Sequence, residues 1–294
     1  MHHVFYFLGV LILISSCVTK KNKEVEVSLS SGKAYLINDE STSLYTQPKA
    51  KKLSKQLAAL RAEIASDKRN VEILNRIVDT LFFLKKYDEA INYAKKILMI
   101  EGSNTKIRLK IAHAAVRLRK YSFAEFIISQ LPCAKDSDCL NLMGVIAYHQ
   151  GKIKEALDYY KRALTLSTNN LSATLNLALL YMEFYKFGEA LAEVKRILKL
   201  SPRDKHAKLI RAVLFVMNKK LDKAEDLLEG LYSKHKTNPV ILHNMSAYAL
   251  KTRDYDKALK LINRALKYSR KHSFSIDKSI RLKEEIGLKK KSGG

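Results

Sequence analysis

The chain has 294 residues, 47% of them hydrophobic and 28% charged, which excludes disorder throughout and is ample for a packed core. A net charge of +25 admits anionic partners such as acidic lipid, acidic protein or nucleic acid. Lysines scattered over many helix faces, without a compact patch of arginine and aromatics, fit a solvated surface equally well.

The first element is an acid-free start with an apolar run from Val4 to Ile14, as long as the core of an export signal and too short to span a bilayer. It ends on Ile14-Ser15-Ser16-Cys17, which resembles the bacterial lipobox. Only His2, His3 and the α-amino group precede the run as cations, and Lys20, Lys21 and Lys23 follow it. The resemblance implies that residues 1–16 are a lipoprotein signal peptide and that the Cys17 thiol is acylated. With three acyl chains the protein would be held permanently on a membrane. Val18, where retention in the inner membrane commonly uses aspartate, points to the outer membrane and a periplasm-facing domain. The alternative is an ordinary N-terminal strand or helix with a buried cysteine.

Residues 17–48 turn to Lys, Ser, Thr, Asn and Asp with no helical period, as in a flexible tether. Within them Glu24-Val25-Glu26-Val27-Ser28-Leu29 alternates polar and apolar, so a short strand that pairs with a partner's sheet edge is the other reading. Residues 49–70 hold one amphipathic helix, from about 50 to 66, with Leu53, Leu57, Leu60 and Ile64 on one face.

From 71 to 272 one pattern repeats: Tyr87-Asp-Glu-Ala90, Tyr121-Ser-Phe-Ala124, Ile153-Lys-Glu-Ala156, Phe187-Gly-Glu-Ala190, Leu221-Asp-Lys-Ala224 and Tyr255-Asp-Lys-Ala258. The alanines stand 34, 32, 34, 34 and 34 residues apart, a period that means stacked helical hairpins. Twelve residues before each alanine, with that spacing kept throughout, lies a second set: Val78, Ala112, Gly144, Ala178, Ala212 and Ser246. A third, seven residues after it, is Ile97, Leu131, Ala163, Ile197, Leu231 and Ala265. These residues resemble places 8, 20 and 27 of the tetratricopeptide repeat, over about 71 to 271. The resemblance implies an all-α fold, a right-handed α-solenoid of about six hairpins with capping helices. Small side chains at 8 and 20 let helices A and B approach, and larger ones fill the seam to the next hairpin. The C-terminal cap and basic tail fall at 273–294, with a helix from about 275 to 288 packing Ile276, Ile280 and Ile286.

The one short spacing coincides with Leu131-Pro-Cys133-Ala-Lys-Asp-Ser-Asp-Cys139. In an oxidising compartment a disulfide between Cys133 and Cys139 is the favoured reading, with free thiols as its rival. A metal site with His113 or His149 lacks any known ligand spacing, so no metal is expected.

In the tetratricopeptide family helix A lines a groove that takes an extended peptide or a partner helix. The resemblance implies a basic end at Arg76, Lys106, Lys110, His113 and Arg117 beside Phe82 and Phe83. It implies an apolar, adaptable end at Leu175, Asn176, Leu179, Met182, Leu209, Val213, Val216 and Met217. The alternative is that the chain's own terminal helices or a second copy fill this face. Asn176 and Asn244 match only fragments of the carboxylate clamp of chaperone-binding members, so that ligand is not expected. No phosphate-cradling glycine loop, HExxH or Gly-x-Ser-x-Gly is present, and neither catalysis, a cofactor nor a small-molecule substrate is expected. Export would remove nucleic acid as a partner. The expected function is an outer-membrane-anchored scaffold that binds protein partners of a motility, pilus or secretion apparatus. The rivals are an adaptor for peptidoglycan enzymes and an outer-membrane protein assembly subunit.

Overall fold

The computed structural model describes residues 47–272 and 276–292, and among them every regular element is helical. In chain order they are α1 (Gln47–Ser66), α2 (Val71–Phe83), α3 (Tyr87–Ile100), α4 (Thr105–Arg117), α5 (Tyr121–Ser129), α6 (Ser137–His149) and α7 (Ile153–Leu166). They continue as α8 (Leu171–Glu183), α9 (Phe187–Leu200), α10 (Lys205–Met217), α11 (Leu221–Lys234), α12 (Pro239–Lys251), α13 (Tyr255–His272) and α14 (Ile276–Ser292). Helices α2 to α13 are the A and B helices of six repeats, an all-α solenoid of hairpins. Cys17 and the alternating segment from Glu24 to Leu29 lie outside the described residues.

Local chemistry starts and stops each helix A in the same way. Asn70, Asn104, Asp136, Asn170, Asp204 and Asn238 sit one residue before helix A of each repeat. The side-chain oxygen of each accepts the backbone N–H of the residue three places on, at 2.7 to 3.2 Å. Such a cap satisfies a donor that the first turn leaves unpaired and contributes about 1 kcal/mol. At the other end Lys85, Arg119, Gly151, Tyr185, Lys219 and Arg253 all have φ between 58° and 77°. The next residue's N–H reaches back to the carbonyls of Leu81, Ala115, Ala147, Tyr181, Phe215 and Ala249, 2.8 to 2.9 Å away. This left-handed closure turns the chain into helix B.

The described residues form two compact units, 47–173 and 174–292. In the first, each helix from α1 to α7 packs on the next. Leu57 and Leu60 of α1 are buried with Ile73, Ile77, Leu81 and Ala90, so the open side of the first hairpin is covered. Leu74, Val78, Ile91, Ile97, Ile107 and Ile111 form a second cluster across α2, α3 and α4. Full burial of such a side chain stabilises by about 1.5–3 kcal/mol.

The second unit holds most of α8 and packs α9 to α14 successively. Helix α14 also reaches α12, where His243 Nδ1 and Ser279 Oγ are hydrogen-bonded at 3.0 Å, both fully buried. The expected seam of α14 needs correction. Leu282 and Ile286 are buried, whereas Ile280 is 41% exposed. Six residues advance a helix by about 240°, so Ile280 and Ile286 cannot share a side.

The repeat register holds at every small place. Val78, Ala112, Ala178, Ala212 and Ser246 are fully buried, as are the alanines at 90, 124, 156, 190, 224 and 258. A Cβ on Gly144 would lie 2.5 Å from Tyr160 Cε1, so only glycine admits that ring. Ser246 uses its place differently and donates its hydroxyl to the Ala258 carbonyl across the hairpin, at 2.7 Å.

The second repeat departs from the pattern. Helix α5 stops after nine residues, where α3, α7, α9 and α11 each run fourteen. Leu131, expected in the seam, therefore falls beyond the helix and is only half-buried. Pro132 leads instead into a 3-10 turn, Cys133–Lys135, whose cysteine is buried.

Candidate functional site

The two units present different helix A faces. On the first, Arg76 is exposed with Glu63 3.9 Å away, and Lys110 is half-buried and paired with Asp79 at 2.6 Å. Lys106 is exposed. The Arg117 guanidinium lies 5.2 Å from the centre of the Tyr87 ring, within cation–π range. Phe82 meets the same ring edge-on at 5.6 Å, while Phe83 is exposed. The basic character expected here is present but tempered by Glu63 and Asp79, acids whose spacing gave no sign of facing these cations.

His113 stands in the same row. Burial pushes its pKa from 6.5 down to about 4, Asp138 opposes that fall and Arg117 adds to it. The imidazole is therefore neutral at pH 7.

On the second unit Leu175, Asn176, Leu179, Met182, Leu209 and Val213 are all buried, and Val216 and Met217 are half-buried. The residues expected at the apolar, adaptable end of the groove are thus covered or partly covered here. A continuous row of aliphatic side chains gains free energy by leaving water, and this row has done so. Polar residues that the sequence reading passed over lie beside it. Arg196 donates to Thr174 Oγ1 at 3.0 Å and pairs with Glu193 at 2.8 Å. Burial raises the Glu193 pKa against the pull of Arg196. Asn244 donates its amide to the Val240 carbonyl one turn back, at 2.8 Å, so that amide is turned onto its own helix.

Cys133 and Cys139 are joined in a disulfide with Cα atoms 5.1 Å apart. The link ties the 3-10 turn to the first turn of α6, bridging the connection that is two residues short. Among the described residues no group of three or more His, Cys, Asp and Glu is arranged to hold a metal ion. No described helix is long and apolar enough to cross a membrane.

Two models of the family described as tetratricopeptide repeat match residues 71–104 and 147–214. The hairpins in those two stretches are similar to tetratricopeptide repeats. A TPR repeat-containing protein of Methanocaldococcus jannaschii is 26% identical over 212 residues, 69% of this chain and 33% of that protein. Tetratricopeptide repeat protein 21B of Xenopus laevis is 22% identical over 262 residues, 79% of this chain and 20% of that protein. The chain thus spans a third or less of these relatives. Among solved structures, a tetratricopeptide repeat protein from Parabacteroides merdae superposes with a TM-score of 0.62 at 15% identity, over 87% of this chain and 98% of that one. That likeness concerns the fold. Hairpins of this kind generally serve as non-catalytic surfaces for protein partners.

Proposed function

We propose that this protein is a lipid-anchored tetratricopeptide scaffold of the outer membrane, facing the periplasm, that binds protein partners of a cell-envelope machine for motility, pilus assembly or secretion. The observation that carries the binding role is the helix A face of the first unit. There Arg76, Lys106 and Phe83 are exposed on helix A of the first two repeats. Cations beside an exposed aromatic suit an acidic partner segment with an aromatic or aliphatic anchor. The buried row of the second unit is the poorer docking surface, because a partner would have to uncover it first. Anchoring at Cys17 rests on the lipobox-like sequence.

Two experiments test the reading. A photo-crosslinking residue at Phe83 in living cells is expected to capture one envelope protein, and Arg76→Glu with Lys106→Glu is expected to abolish the capture. Capture that ignores those charges, or yields only this chain, overturns the binding face. Cys17→Ala is expected to release the protein from membranes washed at high salt, which removes protein held only by charge; retention after that wash at unchanged electrophoretic mobility overturns the lipid anchor.

A further inference from the structure

The last helix of a repeat stack has no following hairpin, and the outer face of such a cap is ordinarily polar. Helix α14 turns Ser279, Leu282 and Ile286 inward. With 100° per residue, the opposite side carries Ile280, Arg281, Glu284, Leu288 and Lys291, with Lys283 at its flank, all exposed. Two aliphatic side chains stand in that face among two cations and one acid, with the third cation, Lys283, at the flank and Leu288 69% exposed. Lys290, at the edge, is paired with Asp256 of α13 at 2.5 Å, which secures the end of α14 to the hairpin beneath it. Over 255–292 twelve lysines and arginines face four aspartates and glutamates, a net +8 within the chain's +25.

We infer that the outward face of α14 docks on an anionic phospholipid surface. Cations placed around exposed aliphatic side chains on a helix lying flat are what a bilayer interface accommodates. The lysines and arginines meet lipid phosphates, and the aliphatic tips enter the boundary with the acyl chains. An acidic protein partner would satisfy the cations but gives no comparable reason for two separate, protruding aliphatics without an apolar patch around them. The attachment is independent of Cys17 and, in a lipidated protein, would fix the orientation of the second unit.

The test uses the full chain carrying Cys17→Ala, with vesicles of phosphatidylcholine containing phosphatidylglycerol and vesicles of phosphatidylcholine alone. Co-sedimentation is expected only with the anionic vesicles and is expected to weaken as salt rises. Arg281→Ala with Lys283→Ala and Lys291→Ala should reduce binding by at least tenfold, given roughly fivefold per cation near the surface. Leu288→Asp should reduce it as well. All these positions are exposed, so folding is checked by an unchanged thermal transition. A control of equal charge change, Lys68→Ala with Lys154→Ala and Lys161→Ala, should leave binding within about threefold, since screening limits each cation to its neighbourhood. No binding to anionic vesicles, equal binding to neutral ones, or an equal loss in the control overturns the inference. In the first case an acidic protein becomes the candidate for this face.

Discussion

The helix A faces of the two units share one hairpin geometry and have opposite surfaces. In 47–173 the row is cationic, partly neutralised by Glu63 and Asp79, and open at Arg76, Lys106 and Phe83. In 174–292 the same register holds aliphatic side chains that are buried from Leu175 to Val213. The small places 8 and 20 are alike in both, so packing of A on B fixes the fold while the outward places remain free to differ. The lesson is that a repeat register locates a face without saying whether it is open.

The largest test of this contrast is truncation on the two faces. Leu209→Ala should cost about 2–5 kcal/mol, as expected for a buried leucine, whereas Lys106→Ala should stay within about 0.5 kcal/mol. Chemical denaturation measures both, and equal effects would abolish the distinction. Next comes the short second repeat. Replacing Cys133 and Cys139 by serine should lower stability by roughly 2.5 kcal/mol through the lost constraint on the unfolded chain. Reducing agent should reproduce that shift in the parent and leave the double variant unmoved.

Overpacking should make the two units look alike. Gly144→Ala in the first and Ala190→Leu in the second should each cost about 1–3 kcal/mol, read as a lower thermal midpoint. Tyr160→Leu should rescue the first by vacating the space its ring occupies.

Acidification should act on the face that carries His113. Its pKa is about 4 in the folded protein against 6.5 ordinarily, so the unfolded chain binds the proton first. Stability from this group is complete above pH 6.5 and declines as pH falls from 6.5 to 4. His113→Gln should flatten that part of a stability–pH curve, and an unchanged slope would remove His113 from the account.

The smallest effect concerns the turns after helix A. Arg253→Gly should gain roughly 0.5–1 kcal/mol, because a left-handed backbone costs arginine more than glycine. Gly151→Arg should lose a similar amount. A destabilised Arg253→Gly would mean that the side chain contributes more than its backbone strain costs.

Much of this was legible beforehand. The six helix A caps follow the same 34-residue spacing and the same shorter step as the alanines, so Asn70 or Asp204 could have been found by extending the register one residue back. The turn residues were harder, since only Gly151 advertises a left-handed conformation; Lys85 and Arg253 give no such sign. Ile280 was misplaced because three isoleucines in one helix suggested a seam that a 3.6-residue turn does not allow. Salt bridges such as Lys110 with Asp79 join helices 31 residues apart, and their pairing depends on the stacking offset.

By itself the sequence determined the hairpin count, the packing places and the position of the irregular repeat. Each follows from spacing along the chain, since only small residues allow close helices. Tertiary structure alone decided which outward places are covered, which acids meet the cations and which side of α14 faces water. Those outcomes depend on rotations and distances between helices far apart in sequence, where a change of one residue in phase turns a side chain by 100°.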